Sequence, residues 1–117
     1  MDDDAWPTEW MRALLPLCVL GVVAEEETYG YAIAQRLQGA GLGVIKGGTL
    51  YPVLNRLEQD GLVSSSWREG LAGPGRKFFG VTAAGRVYLD GRTSAWNTFT
   101  ELAAALLPSP STPRSTR

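Results

Sequence analysis

The chain of 117 residues has no histidine and a single cysteine, and both shortages narrow the chemistry open to it. No group of Cys, Asp and Glu has the spacing of a metal site, and no Ser or Cys lies beside a suitable base. Cys18 lies in an apolar stretch, where core packing is the better explanation than a nucleophile. The sequence therefore predicts no enzyme, no bound metal and no cofactor.

Long apolar segments are also missing. The longest, residues 14–24, is interrupted by Pro16 and Gly21 and falls short of the ~20 residues of a membrane span. Residues 2–4 are all Asp, the opposite charge to the start of a signal peptide. One cysteine cannot form an internal disulfide, which fits a reducing compartment. These features predict a cytoplasmic protein with no membrane partner.

The net charge is only −1, but the charge is unevenly distributed. Residues 1–27 hold seven acidic side chains and one basic side chain. Residues 28–92 hold eight basic side chains and four acidic ones. Phosphates respond to local rather than total charge, so a basic middle segment suits a nucleic-acid surface. Taken alone, this segment is equally well explained as a solvated face.

Hydrophobic spacing and Gly/Pro positions predict three helices first, at residues 8–24, 29–38 and 49–60. Pro16 is expected to kink or restart the first helix. Thr28 suits the N-cap of the second helix. The glycine-rich stretch 39–48 is expected to be a turn or loop.

A hairpin and a long helix complete the predicted order. The strands are expected at 62–68 and 77–81, joined by the Gly- and Pro-rich loop 69–76. Thr82 should cap a final helix that ends near residue 107. Residues 108–117 contain three prolines and no large apolar side chain, which predicts a disordered tail. The fold class is mainly α, or α+β with a small hairpin.

The third helix has one apolar face and one polar face on a helical wheel. The apolar arc holds Leu50, Val53, Leu54 and Leu57. The polar arc holds Gly48, Pro52, Asn55, Arg56 and Gln59, with Thr49 and Tyr51 at its flanks. Asn and Gln pair with adenine edges, Arg with guanine edges or phosphate, and hydroxyls with phosphate. An ordinary amphipathic helix would look similar, so the helix alone leaves both interpretations open.

The hairpin favours the DNA-binding interpretation. Its uncharged loop, 70–75, is followed at once by Arg76 and Lys77. A basic hairpin beside such a helix is the arrangement of a winged helix, whose wing follows the DNA backbone or enters the minor groove. Three helices followed by a basic hairpin are more specific than either part alone.

Five segments of the chain resemble the PadR family of bacterial transcriptional regulators. They are YGYAI at 29–33, GTLYPVLNRLE at 48–58, DGLV at 60–63, GPGRKFF at 73–79 and VTAAGR at 81–86. The resemblance spans about residues 12–107. It implies a winged helix-turn-helix with its third helix in the major groove, a wing on DNA, and a dimer made by the first and last helices.

The resemblance also implies a division of the chain into four segments. Residues 1–11 lead into the first helix, 12–81 form the DNA-binding domain, 82–107 the C-terminal dimerisation helix and 108–117 the tail, as in the short subfamily. Phe78 and Phe79 replace the Tyr pair usual in the family, which removes two hydroxyls from the wing. The residues expected to contact a double-stranded DNA operator are Tyr31, Lys46, Gly48, Thr49, Tyr51, Pro52, Asn55, Arg56, Arg76 and Lys77.

The last helix carries a seam that repeats every seven residues, as in paired helices. Its members are Leu89, Arg92, Trp96, Phe99, Ala103 and Leu106. Packing of this helix on its own domain is the alternative, but three helices and a hairpin already cover that small core. We expect a homodimer, with Leu89, Trp96, Phe99, Ala103 and Leu106 at the interface.

Trp96 lies in the middle of the seam, where it would meet its own copy across a two-fold axis. Alanines surround it in sequence, and Trp6 and Trp10 of a partner chain would reach the same region, leaving room for a flat aromatic compound. In multidrug-sensing PadR members, which the chain resembles here, a matching Trp lines a pore for such compounds. We expect Trp10, Trp96 and Phe99 to bind a planar hydrophobic effector, and plain interface packing of Trp96 is the alternative.

These expectations combine into a ligand-responsive repressor that binds an inverted-repeat operator as a dimer. The rival interpretation is a winged-helix module that binds another protein without contacting DNA. Salt separates the two, because affinity for duplex DNA falls steeply as salt rises.

Overall fold

A computed structural model describes residues 6–70, 73 and 75–110. This part of the chain is a winged helix, mainly helical with a small antiparallel sheet, and is 57 Å long and 32 by 20 Å across. Its elements in chain order are α1 (Thr8–Glu25), β1 (Thr28–Tyr29), α2 (Gly30–Leu37), α3 (Gly47–Gln59), β2 (Val63–Arg68), β3 (Arg76–Val81) and α4 (Ala83–Leu106).

Helix α1 passes through the core because its apolar side chains recur on one side. Leu15, Val19 and Val23 follow each other at the four-residue spacing of a helix face, and all three are buried. Pro16 lies inside α1, and the helix continues through it rather than restarting. The neighbouring Cys18 is partly buried, and burial raises the pKa of its thiol, which keeps it protonated and unreactive at neutral pH.

The start of α2 differs from the prediction. Thr28 is not an N-cap, because Thr28 and Tyr29 form the short strand β1, and α2 begins at Gly30. Thr28 pairs with Phe79 and Tyr29 with Phe78, so the expected hairpin becomes a three-stranded sheet of order β1-β3-β2. Two residues are too few to show the alternation that marks a strand in sequence.

The glycine-rich stretch also holds more helix than expected. Helix α2 runs into one wide helical turn, Gln38–Leu42, in which Gly41 has a φ of 107°. Gly43 then has a φ of 87°, a conformation that favours glycine. Helix α3 begins at Gly47, two residues before the predicted start.

The remaining core residues come from α2, α3 and the sheet. The apolar arc predicted for α3 is confirmed, because its leucines are buried and Val53 packs against them half-buried. The fully buried Phe79 of β3 closes the core from the sheet side. The buried apolar residues outside α1 are Ile33, Leu37, Ile45, Leu50, Leu54, Leu57, Val63 and Phe79.

The first turns of helix α4 attach it to this core. The Oγ1 atom of Thr82 accepts a hydrogen bond from the backbone N–H of Gly85 at 2.9 Å and donates one to the carbonyl of Gly61 at 2.7 Å, so the predicted cap is confirmed. Gly85 is buried against the backbone of Leu62, where a Cβ would not fit. After Leu89, which packs on the core, most side chains of α4 are exposed.

Two predicted irregular segments fall partly outside the description. Residues 108–110 follow α4 without regular structure. The predicted disorder of residues 111–117, and the conformation of residues 71, 72 and 74 in the loop after β2, lie outside the described residues.

Candidate nucleic-acid interface

The first turn of α3 presents backbone N–H groups to the surface. Lys46 precedes the helix in an extended conformation, and its carbonyl accepts the N–H groups of Thr49 and Leu50 at 2.9 Å. A helix start leaves further amides without an internal acceptor. Within the described chain no side chain caps α3, so the amides of Gly47 and Gly48 face outward at an exposed helix start. Such a start suits a phosphate.

The polar arc predicted for α3 is exposed, and so are the two residues at its flanks. The residues that share this exposure are Gly48, Thr49, Tyr51, Pro52, Asn55, Arg56 and Gln59. Arg56 donates through Nε to both carboxylate oxygens of Asp60, at 3.3 Å each. An exposed pair four residues apart on a helix contributes only about 0.3–0.5 kcal/mol. Arg56 can therefore exchange Asp60 for a phosphate or a base edge at small cost.

The acidic residue in α3 is turned away from that arc. Glu58 is half-buried and accepts a hydrogen bond from Ser65 of β2 at 2.7 Å. Its other carboxylate oxygen lies 4.0 Å from Nζ of Lys77 in β3. Glu58 thus links α3 to the hairpin and holds Lys77 on the α3 side of the sheet.

Tyr51 joins α3 to the start of α2. Its ring and hydroxyl occupy the space beside Gly30 that a Cβ would need. The next residue, Tyr31, is exposed, and its hydroxyl accepts a hydrogen bond from Nε2 of Gln35 at 3.0 Å. Two tyrosine hydroxyls and the start of α2 therefore lie beside the exposed polar face of α3.

The sheet positions two arginines of the wing, the predicted Arg76 and its cross-strand neighbour Arg68. Arg76 lies over the ring of Tyr29 at 4.5 Å. Arg68, opposite Arg76 in the strand register, lies over the ring of Phe78 at 4.2 Å and pairs with Glu27. Stacking on aromatic rings restrains the direction of a guanidinium without neutralising it. Arg76 is exposed and keeps its charge available to a ligand.

The wing cations and the tyrosines border one groove, which we call the wing groove. It has a volume of about 510 Å³ and lies between the starts of α2 and α3 and the hairpin. Its lining residues are Tyr29, Gly30, Tyr31, Tyr51, Trp67, Gly75, Arg76 and Lys77. Four residues predicted to contact DNA, from three separate segments, thus meet at one surface.

The two phenylalanines of β3 have different roles. Phe79 is fully buried, so the hydroxyl it lacks would not reach a ligand. Phe78 packs with its ring 5.3 Å from that of Tyr29 and beneath Arg68. A tyrosine hydroxyl at residue 79 could not contact DNA, so the replacement by Phe79 removes no contact. Phe78 supports the guanidinium of Arg68.

A second groove, which we call the α4 groove, lies on the other side of α3. It has a volume of about 650 Å³ and is bounded by α1, α3 and α4. Trp96 and Phe99 line it with their ring centres 6.1 Å apart, and Pro52 and Arg56 of α3 line it together with Asp60, which follows α3. Trp10 is not among its lining residues and instead stacks on Trp6 at the start of α1.

Sequence reasoning missed Trp67 and the supporting role of Tyr29. Trp67 is an isolated large apolar residue after three serines in β2, a signal that was available in the sequence. The supporting role of Tyr29 beneath Arg76 had no signal in the sequence, because it depends on the pairing of Tyr29 with β3.

Comparison with known proteins decides the family. The sequence model of the transcriptional regulator PadR-like family matches residues 19–91 of this chain. The chain belongs to the PadR-like family of transcriptional regulators. It is 41% identical to the transcriptional regulator Rv3488 of Mycobacterium tuberculosis over 81 residues, which are 69% of this chain and 74% of that protein.

Solved PadR structures share the fold. A PadR family regulator from Eggerthella lenta is 32% identical, with a TM-score of 0.77 over 87% of this chain and 88% of its own. A PadR-like regulator from Bacillus cereus is 25% identical, with a TM-score of 0.78 over 88% of this chain and 100% of its own.

Membership of the PadR-like family makes the chain a regulator of transcription that acts through DNA, and not an enzyme. The surface formed by α3 and the wing carries exposed polar and basic groups, which binding to DNA requires. Among the described residues, no helix combines the length and apolar character needed to cross a membrane. No cluster of potential metal ligands occurs in the same part of the chain.

Proposed function

We propose that this PadR-like regulator is a dimeric repressor that reads an inverted-repeat operator with α3 and the wing. One observation carries the proposal: the exposed polar face of α3 and the cations Arg76 and Lys77 flank the wing groove. A duplex placed against this surface meets hydrogen-bonding groups at its bases and positive charge along its backbone.

Selection of bound sequences from a random duplex library tests the proposal. A two-fold dimer places two copies of α3 in successive major grooves, so the selected sites should be inverted repeats with half-site centres about 10 base pairs apart. Affinity for the selected site should fall steeply between 50 and 200 mM salt, as expected for several phosphate contacts. Recovery of no common sequence, or an affinity indifferent to salt, would favour a module that binds protein.

The proposed dimer rests on the free face of α4. Phe99 is 62% exposed and Leu106 85% exposed, which is unusual for large apolar side chains on a long helix. Trp96 is 39% exposed in the same row. Pairing of this seam with a second copy of α4 covers these side chains. Ala103 in the same row lets the two helices approach closely.

The proposed effector is a planar hydrophobic compound that stacks between the Trp96 side chains of the two protomers, beside Phe99. The α4 groove supplies a volume of about 650 Å³, within the range of small-molecule sites. Its walls are mostly apolar, which suits a flat hydrophobic compound. Trp10 would join this site only from the partner chain, because within one chain it lies at the start of α1.

The position of the α4 groove explains how an effector would change DNA binding. Pro52 and Arg56 belong both to the predicted DNA surface and to the lining of this groove. A compound seated against Trp96 therefore meets the recognition helix directly. Such a compound could shift α3 or redirect Arg56 through direct contact.

Titration with flat cationic dyes, followed by tryptophan fluorescence, tests the effector site. Binding at Trp96 should quench the wild type strongly, and dye should release labelled operator. The Trp96→Ala variant keeps Trp6, Trp10 and Trp67 and should show little quenching. Equal quenching in both proteins would leave Trp96 as interface packing.

A further inference from the structure

Trp67 is the most exposed tryptophan of the described chain, at 72%. It lies in β2 directly opposite Lys77 of β3. Cross-strand neighbours have Cβ atoms about 5 Å apart and point to the same face of the sheet. That face also carries Ser65, which reaches Glu58 of α3. Trp67 therefore projects from the wing on the side that faces the recognition helix.

The surroundings of Trp67 favour a polyanion as the occupant of the wing groove. Trp67 lines this groove together with Arg76 and Lys77, and Tyr51 forms the opposite wall. Among the described residues that line it, none is acidic. Glu58, which is not among the lining residues, accepts a hydrogen bond from Ser65 and lies 4.0 Å from the Lys77 ammonium. The groove thus combines positive charge with aromatic rings.

We infer that one strand of the DNA duplex runs through the wing groove and that Trp67 packs on a deoxyribose of that strand. The inference rests on the proposed DNA-binding function and adds a contact to it. A DNA backbone alternates phosphates with apolar sugar faces. The neighbouring Lys77 and Trp67 match that alternation, with the ammonium on a phosphate and the indole on the next sugar.

This contact differs from that of the cations in a measurable way. An uncharged indole releases no counterions from DNA, so its contribution to affinity is independent of salt. Because it touches the sugar and not a base edge, its contribution is the same for every sequence. Removal of Trp67 should weaken binding uniformly, whereas removal of Lys77 should also flatten the salt dependence.

The experiment compares Trp67→Ala, Trp67→Phe and Lys77→Ala in the full chain on a labelled mixed-sequence duplex of about 30 base pairs, between 50 and 200 mM salt. We expect Trp67→Ala to bind on the order of tenfold more weakly at every salt concentration, the value of burying part of an indole. Trp67→Phe should recover much of this loss. Lys77→Ala should reduce the slope of log affinity against log salt by about one.

Two controls make the outcomes separable. Trp67 is exposed and contributes nothing to the core, so the melting temperature of Trp67→Ala should match the wild type. Duplex should quench wild-type tryptophan fluorescence, and Trp67→Phe should lose that quenching. If the wild type shows no salt-dependent binding, the proposed function itself fails. If the wild type binds and Trp67→Ala binds equally well, or alters the slope, the Trp67 contact alone is overturned.

Discussion

The ring of Tyr51 fills the space beside Gly30 where any other residue would carry a side chain. This contact fixes the first turns of α3 against the start of α2. It also places the Tyr51 hydroxyl at the edge of the wing groove. The orientation of the recognition helix therefore depends on the absence of a Cβ at residue 30.

Gly30→Ala tests that dependence. The added methyl group must displace the Tyr51 ring, which should lower the free energy of unfolding by about 1–3 kcal/mol and weaken DNA binding. Gly47→Ala is the matched control, because a Cβ there would meet the same ring at an ordinary 3.6 Å. Thermal melts and duplex titrations measure both effects. The double variant Gly30→Ala/Tyr51→Ala should be less destabilised than the two single changes added together.

Asn55→Ala should change base preference at one position in each half-site. Asn55 lies in the middle of the exposed face of α3, and an amide pairs with adenine at a value of about 1–3 kcal/mol of discrimination. Repeating the library selection with the variant measures the change. Gln59→Ala, at the end of α3, should leave the selected sequence unchanged. An unaltered preference in Asn55→Ala would remove Asn55 from the base-reading set.

Asp60→Asn should strengthen DNA binding. The substitution releases Arg56 from its carboxylate partner and leaves its charge free for phosphate. We expect a several-fold gain in affinity for mixed duplex and a slope in log salt steeper by up to about 0.9. Asp90→Asn makes the same charge change on α4 and serves as the control. Equal gains in both variants would show a general charge effect and not a role for Arg56.

Phe99→Asp should separate the dimer without unfolding the protomer, because Phe99 is exposed in the single chain. A charge in the middle of an apolar seam cannot be buried without a partner. Sedimentation should report a monomer, with operator affinity reduced to that of one half-site. Ser94→Asp places the same charge on the opposite face of α4 and should remain dimeric. A dimeric Phe99→Asp variant would exclude this seam as the interface.

The pair between Glu25 and Arg36 should make stability depend on pH. Arg36 donates to both carboxylate oxygens of Glu25, at 3.1 and 3.0 Å, and these hydrogen bonds hold the pKa of Glu25 below its ordinary value of 4.5. A carboxyl whose pKa is lower in the folded state stabilises the fold at neutral pH and loses that contribution as pH falls below about 4.5.

Melting temperatures of the wild type and Glu25→Gln between pH 7 and pH 3 measure this contribution. The difference should be small at pH 7, since both side chains are half exposed, and should vanish in acid. Glu26→Gln removes the same charge one residue further on and controls for net charge. A difference that grows as pH falls would contradict the assigned direction.

The polar face of α3 and the wing cations were predictable because each depends on local spacing. A helical period of 3.6 residues places Asn55 opposite Leu57 wherever the helix packs. Strand β1 was not predictable, because Thr28 and Tyr29 pair only after the chain has brought them beside β3. The wing groove depends on that pairing, so the neighbourhood of Trp67 was also hidden.

The α4 groove was only partly predictable from the sequence. The seam containing Trp96 is visible in the sequence as a heptad pattern. Its distance from Pro52 and Arg56 depends on the angle at which α4 leaves the domain. That angle is fixed by Thr82 and by the close approach of Gly85 to Leu62, which are tertiary contacts.

The hydrogen bond from Thr82 to Gly61 ties the base of α4 to the segment that follows α3. Gly61 lies two residues after the end of α3, so this hydrogen bond joins the start of the long helix to the end of α3. A helix of 24 residues is about 36 Å long, and a tilt of about 5° at its base moves its far end by about 3 Å. In the proposed dimer, small adjustments in how the two copies of α4 meet are therefore sufficient to change the separation of the two copies of α3 by the width of an atom.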